Sequence, residues 1–328
     1  MENKFIVSSS PHIRSNEDTS YIMKQVILAL VPAALAAVYY FRASALFVMF
    51  FCILGAVGSE FLYEKITKQK STLGDCSAIV TGLLLAFNVP ASLPWWMCIL
   101  GGMFAIIVVK MVFGGIGNNF VNPALAGRAF LLASFPVAMT AWTKTNVNWV
   151  STGSLDAVST ATPLSFLKAG VSGLEPLKES GVSLLDMALG NVGGCVGETC
   201  AILLILGGVY LIYKGIISYI MPVCYLGTIF VLSFLLGGFS IEFAAYEILA
   251  GGVILGGFFM LTDYTTSPMT QKGQIIYAIL AGVIATVIRL YGGYPEGCSY
   301  SILLANVTTP LIDKFVNNRV FGEVPKHE

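Results

Sequence analysis

Apolar residues come in helix-length blocks along this chain, and polar residues collect in the gaps between the blocks. A run of roughly 18–20 apolar residues is long enough to cross the hydrocarbon core of a bilayer as an α-helix. The blocks predict helices over 24–41, 44–63, 76–93, 95–113, 123–140, 192–213, 216–237, 242–261, 274–291 and 298–317. Pro90 and Pro94 interrupt the end of the third. The expected fold class is an all-α integral membrane protein of about ten transmembrane helices.

Composition sharpens this reading. Of 328 residues, 56% are apolar and 11% charged, with a mean hydropathy of +0.81. A soluble domain is typically about a quarter charged. The formal net charge is zero, so no bulk attraction to nucleic acid is implied. The first residues, Met1 to Lys24, lack the apolar core of a cleavable signal peptide.

Lys and Arg bias the orientation. With the N-terminus inside, twelve basic residues fall on inner segments (Lys4, Arg14, Lys24, Lys65, Lys68, Lys70, Lys110, Lys214, Lys272, Lys314, Arg319, Lys326). Five fall outside (Arg42, Lys144, Lys168, Lys178, Arg289), and Arg128 lies within a span. Both termini are therefore expected in the cytoplasm of a cell-membrane protein. The organisation that follows is a cytoplasmic N-terminus over 1–23, five helices over 24–140, an extracytoplasmic loop over 141–191, five helices over 192–317 and a cytoplasmic tail over 318–328. Loops as long as 141–191 are usually functional or disordered.

Five helices on each side of that loop force the second half to start from the opposite face, so any repeat must be inverted. Gly82, Asn88 and Pro94 match Gly256, Thr262 and Pro268 in spacing, each set with an apolar turn between its first two residues. Gly117 to Phe120 and Gly297 to Tyr300 precede spans in the two halves. Apolar segments broken by Gly and Pro at matching places suggest discontinuous helices, whose freed backbone groups line a cavity or bind a ligand. On architecture alone, a stand-alone secondary transporter or channel without redox chemistry fits, as does a scaffold for neighbouring subunits.

No signature of a soluble enzyme is present, and His12 and His327 lie near the termini. The seven cysteines are scattered. Cys195 and Cys200 are five apart, which is not a metal-binding pair, so no metal is expected. Ionisable residues at membrane depth are costly and mark candidate sites. Asp263 follows the eighth helix, and Asp313 with Lys314 lies near the inner end of the tenth. Asp75 and Lys110 lie near inner ends, and Glu198, Glu242, Glu247 and Glu296 toward the outside. Snorkelling to the headgroups is the expectation for most of them. Arg128 sits a turn and a half into the fifth span, after Asn118, Asn119 and Asn122. It is placed to meet a phosphate, a carboxylate from another chain, or the carbonyls of a broken helix.

In the long loop, Asp156, Ser159, Thr160, Ala161 and Thr162, followed by Pro163 and Leu164, resemble the Asp-x-x-Ser/Thr-Gly-Ala-Thr flavinylation motif. Thr160 stands where that motif has Gly, and Ala157 replaces another frequent Gly; the Ala-Thr-Pro-Leu frame points to Thr162. Val112 to Phe130, Gly190 to Thr199, Phe258 to Tyr264, and Pro295 through Asn306 to Asp313 complete the pattern in order. Together they resemble the D-subunit family of the Rnf complexes, related to the B subunit of the sodium-pumping NADH:quinone reductase. The resemblance implies a flavin-carrying electron-transfer subunit of a ferredoxin:NAD+ oxidoreductase coupled to Na+ or H+ movement, not catalytic alone. It implies FMN joined covalently to Thr162, with Asp156, Ser159, Arg128, Asn118 and Asn122 as further flavin contacts, and riboflavin as a second, non-covalent flavin. It implies Asp263 and Asp313 on an ion path. The partners it implies are the A, B, C, E and G subunits of the complex and membrane lipid.

Overall fold

The computed structural model describes residues 18–142, 162–198, 200–293 and 296–316. Among these residues every element is helical, and no strand occurs. Asp18 caps α1 (Thr19–Phe41), accepting from the Tyr21 N–H, and α2 (Ala43–Thr67) follows after one residue. Next come α3 (Ser77–Phe87) and α4 (Trp95–Met111), whose second half is π-helical. They are followed by α5 (Pro123–Ser134) and the single turn α6 (Pro136–Met139). Three short helices, α7 (Pro163–Leu167), α8 (Leu174–Glu179) and α9 (Leu184–Leu189), precede α10 (Ala201–Tyr213) and α11 (Ile220–Leu236). The chain ends with α12 (Ile241–Leu249), α13 (Val253–Met260), α14 (Gln271–Tyr291) and α15 (Cys298–Phe315).

Among the described residues, three helices, α1, α2 and α14, are long and apolar enough to cross a membrane, and the bent pair α12–α13 adds a fourth when counted as one span. Four of the ten expected spans are cut back by ten residues or so, divided or bent, each for a local reason. The third stops at Phe87, because Pro90 cannot donate to a helix and α4 restarts only after Pro94. The fifth divides at Phe135, before Pro136. The sixth begins at Ala201 rather than 192, since Gly193, Gly194 and Gly197 make a helix costly there. The eighth bends by 69° between α12 and α13, where Gly251 takes a φ of +64°.

Small residues set how closely the helices approach. Without a hydrophobic driving force between helices in lipid, packing relies on such close contact. A Cβ on Gly82 would lie 2.7 Å from the Cα of Ile53, and one on Gly207 would lie 2.4 Å from the carbonyl oxygen of Ala29. Meanwhile Leu28, Leu35, Phe47, Phe50 and Phe61 point outward along α1 and α2. Water does not tolerate so large an apolar exterior; lipid or neighbouring subunits do.

The described part of the long loop is folded. Leu164, Leu167, Leu177 and Met187 of α7–α9 form their own core against Phe243 and Tyr246 of α12. Ser183 and Asp186 close a capping box at the start of α9. The Ser183 hydroxyl and amide hold the Asp186 carboxyl below its ordinary range.

The glycine contacts carry a direct prediction. A Cβ on Gly102 would meet the amide nitrogen of Ala56 at 2.8 Å and the carbonyl oxygen of Cys52 at 2.9 Å, neither of which can move aside. Gly102→Leu is expected to force α2 from α4 and destabilise the protein by about 1–3 kcal/mol or more. Gly58→Leu, at a position with nothing within 4 Å, is the control. Thermal unfolding in detergent reads the difference.

Candidate functional site

The polar residues of the interior converge where the broken helices meet. Asn122 caps α5, its Oδ1 accepting from the N–H groups of Ala124 and Leu125 at 3.1 and 3.3 Å. Its Nδ2 donates to the carbonyl of Met260 in α13 at 3.3 Å. Further along α5, Arg128 is buried and reaches three segments. Its Nε donates to the carbonyl of Asn88, just past the end of α3, at 2.7 Å. Its guanidinium also donates to Ser299 Oγ at the start of α15 and pairs with Glu296. Arg128 thus makes the broken-helix contacts open to it in the sequence, together with an ion pair to a carboxylate of its own chain.

Beside this cluster runs the segment that was expected to begin the sixth helix. It is drawn against the α3 break, the Val196 N–H donating to the Val89 carbonyl at 3.0 Å. Cys195 is fully buried near Arg128 and Glu296. Glu198 Oε2 accepts from the Cys195 N–H at 3.2 Å. Cys195, Glu198 and Glu296 bring a thiol and two carboxylates within 4.8 Å of one another. Arg128 already neutralises one carboxylate, which argues against a resident cation.

Thr162 opens onto the same region. It caps α7, its Oγ1 accepting from the Ser165 N–H at 3.3 Å, and it is buried. With Gly193, Gly194, Glu198, Gly251 and Glu296 it lines a cleft of about 370 Å³, counting the part open to solvent. A Cβ on Gly194 would lie 2.7 Å from Glu198 Oε2, so glycine is what leaves the cleft open. Asp156 and Ser159 lie outside the described residues.

A larger cavity of about 800 Å³, again including its open part, lies at the other end of α5. Phe258, Phe259 and Leu84 give it apolar walls, and Asn119, Asn122 and Asp263 add polar edges. Asp263 Oδ2 accepts from Asn119 Nδ2 at 3.4 Å and from the Thr265 and Thr266 hydroxyls at 3.2 and 3.4 Å. Desolvation raises its carboxyl above the ordinary range, against the lowering effect of those hydrogen bonds. Asn118 is exposed, its Nδ2 donating to the Gly114 carbonyl, and its neighbour Asn119 lines the cavity. Asp313 does not meet Asp263. Its Oδ1 accepts from the Met269 N–H at 3.3 Å, which holds the loop that carries Asp263.

Two buried ion pairs replace the expected snorkelling. Glu247 and Arg289 pair at 2.9 Å, and Arg289 also donates to the carbonyls of Glu247 and Ala250 at the α12–α13 break. Lys110 pairs with Glu60 at 2.9 Å. Glu60 and Glu64 escaped the sequence reading, although their four-residue spacing within an apolar helix puts both on one face.

Arg128 is expected to be the most sensitive of these positions. Arg128→Met strands the Glu296 carboxylate and the Asn88 carbonyl, at a cost of roughly 3–5 kcal/mol. Adding Glu296→Met should recover part of that loss, because it removes the unpaired charge. The thermal midpoints of the two variants in detergent give the comparison.

Comparison with known proteins adds the family. Residues 6–322 match the model of the NQR2, RnfD, RnfE family. The chain is 51% identical to the D subunit of the Na(+)-translocating ferredoxin:NAD(+) oxidoreductase complex of Acetobacterium woodii, over 98% of this chain and 96% of that one. It is 47% identical to the D subunit of the proton-translocating ferredoxin:NAD(+) oxidoreductase complex of Clostridium ljungdahlii, over 98% and 97%. It is 35% identical to the D subunit of the ion-translocating oxidoreductase complex of Escherichia coli K12, over 97% and 98%. This chain belongs to the NQR2, RnfD, RnfE family.

Proposed function

We propose that this chain is the D subunit of an ion-translocating ferredoxin:NAD+ oxidoreductase, a multi-pass membrane protein that works within the assembled complex. The carrying observation is the end-to-end match to D subunits of such complexes, at up to 51% identity. Its relatives' names differ in the ion, Na+ in one and H+ in another, so the ion is left open between them. The A, B, C, E and G subunits are its partners in this reading, and its apolar exterior meets them and lipid.

The chain carries electrons through flavin. FMN is esterified through its phosphate to Thr162, a hydroxyl that lines a glycine-walled cleft and keeps the Ala-Thr-Pro-Leu frame. Bound there, the group supplies one-electron redox chemistry; Thr162 contributes the anchoring oxygen, and Gly193, Gly194 and Gly251 leave it room. Riboflavin is assigned to the cavity beside Asp263. A flat ring suits its aromatic and aliphatic walls, and Asn119 and Asn122 offer amides at its edge.

Ten spans in two inverted sets of five remain the proposed topology, with the five-segment organisation given above. In support, Asn88 of the first half and Thr262–Asp263 of the second both follow a broken or bent helix. Both face the contact between halves. Both termini are placed in the cytoplasm and Thr162 outside.

Two experiments test the reading. Thr162→Ala should abolish flavin fluorescence of the chain on a denaturing gel, while Thr160→Ala keeps it; fluorescence that survives in the Thr162 variant would rule out the attachment. In a background without native cysteines, a membrane-impermeant thiol reagent applied to intact cells should label Cys placed at Ser172 and spare Cys placed at Gln69. The reverse pattern would overturn the topology.

A further inference from the structure

The break between α12 and α13 leaves part of Arg289 unused. This arginine, near the end of α14, is 2% exposed. Its Nη1 donates to the carbonyl and the carboxylate of Glu247, and its Nη2 donates to the Ala250 carbonyl at 2.8 Å. Among the described residues Nε has no acceptor, and Nη2 makes that one bond, so its second hydrogen is also left over. Unpaired donors on a buried charged group are costly, which points to a ligand. Nη2 borders the cleft that Thr162 lines. A Cβ on Gly251, in the wall of that cleft, would lie 3.1 Å from Nη2, 3.4 Å from Leu164 Cδ2 and 3.9 Å from Glu198 Oε1. Glu198 is held through its other oxygen, Oε2, which accepts from the Cys195 N–H at 3.2 Å. Gly252 leaves further room beside Glu198, since a Cβ there would lie 3.6 Å from Oε1. A donor and an acceptor therefore border a space that exists because residue 251 has no side chain.

Charge decides what chemistry suits this space. Arg128 and Arg289 already have their own carboxylates, Glu296 and Glu247. Glu198 is left over, so with the carboxylates ionised the groups around the cleft are negative by one charge and disfavour an anion. A phosphate is therefore kept to the open mouth of the cleft. A hydroxyl suits the interior, because it is neutral and both donates and accepts. A chain of adjacent hydroxyls would give its hydrogens to Glu198 Oε1 and its oxygens to Arg289 Nη2.

We propose that Glu198 and Arg289 hold the ribityl chain of the FMN attached to Thr162. The assignment rests on that attachment. FMN carries its hydroxyls between the phosphate and the ring, so they are the part of a Thr162-linked group that first passes Gly251, in the wall of the same cleft. The chain of CHOH units is also narrower than the ring, as a cleft walled by Gly193, Gly194 and Gly251 requires. Held there, the ribityl fixes the direction in which the ring leaves the cleft.

Periodate reads this contact without an assay of turnover. It cleaves carbon–carbon bonds between adjacent free hydroxyls, which severs the ring from the Thr162 end. The fluorescence of this chain's band on a denaturing gel then falls as the ribityl is cut, and flavin held without a covalent link does not contribute. In the folded, purified complex the band should fade about tenfold more slowly than in the same protein unfolded in urea, on the scale of one or two net hydrogen bonds. Glu198→Ala should fade at close to the unfolded rate. Glu198→Gln should stay protected, because its amide oxygen still accepts from a hydroxyl or from the Cys195 N–H. Gly251→Asn tests the same space with Glu198 intact: asparagine tolerates the φ of +64° there, and its amide fills the gap beside Arg289, so protection should be lost. Absence of protection in the folded complex would overturn the proposal, as would full protection in Glu198→Ala or in Gly251→Asn. Loss in Glu198→Gln equal to that in Glu198→Ala would make the carboxylate a prop for the Cys195 segment and would also count against it. An untreated band without fluorescence would overturn the attachment to Thr162, whereas a fluorescent but unprotected band counts against the ribityl assignment alone.

Discussion

Everything in this structure follows from one constraint: a backbone carbonyl freed by a helix break must find a donor when no water is near. The chain breaks its helices at Asn88 and again at Ala250, and each time an arginine from another helix supplies the donors. Arg128 donates to the Asn88 carbonyl, and Arg289 donates to those of Glu247 and Ala250. The planar guanidinium suits this because its donors form a fixed fork that serves several acceptors at once. Each arginine then needs a counter-charge, and Glu296 and Glu247 provide it. The buried ions thus come as part of the breaks, and the breaks make room for the clefts.

α5 joins the two clefts. Asn122 at its start and Arg128 are six residues apart, about 9 Å of helical rise. One holds the carbonyl of Met260 in α13 and the other holds the start of α15. A shift of α13 or of α15 against the first half therefore presses on one end of a single rigid element. Asp313, by holding Met269, fixes the same loop from the opposite side.

Much of this was legible in the sequence because membranes simplify it. The apolar blocks located α1, α2, α11, α14 and α15 to within a few residues, since length and apolarity alone decide such helices. The break after Phe87 was signalled by Pro90 and Pro94. What the pattern missed were glycine-rich stretches that read as apolar yet do not form helix, such as Gly193 to Gly197 and Gly251–Gly252. Pairings were also hidden. Nothing local joins Lys110 to Glu60, fifty residues away, or Arg289 to Glu247, so Lys110 and Glu247 looked like headgroup contacts. Asn118 and Asn119 are indistinguishable by composition, and only the run of glycines before them, with positive φ at Gly114, Gly115 and Gly117, decides which one turns inward.

The docking of α7–α9 on α12 sets how far anything attached to Thr162 can travel. Leu164 and Leu167 anchor the residues next to Thr162 in a packed core shared with Phe243 and Tyr246. A redox group tethered at that point swings on the length of its own side chain and not on that of a fifty-residue loop. Electron tunnelling falls off exponentially with separation, so a short pivot confines useful exchange to partners seated around the mouth of that cleft. With FMN at Thr162 as proposed, choice of electron partner would become a matter of where neighbouring subunits stand, settled at assembly.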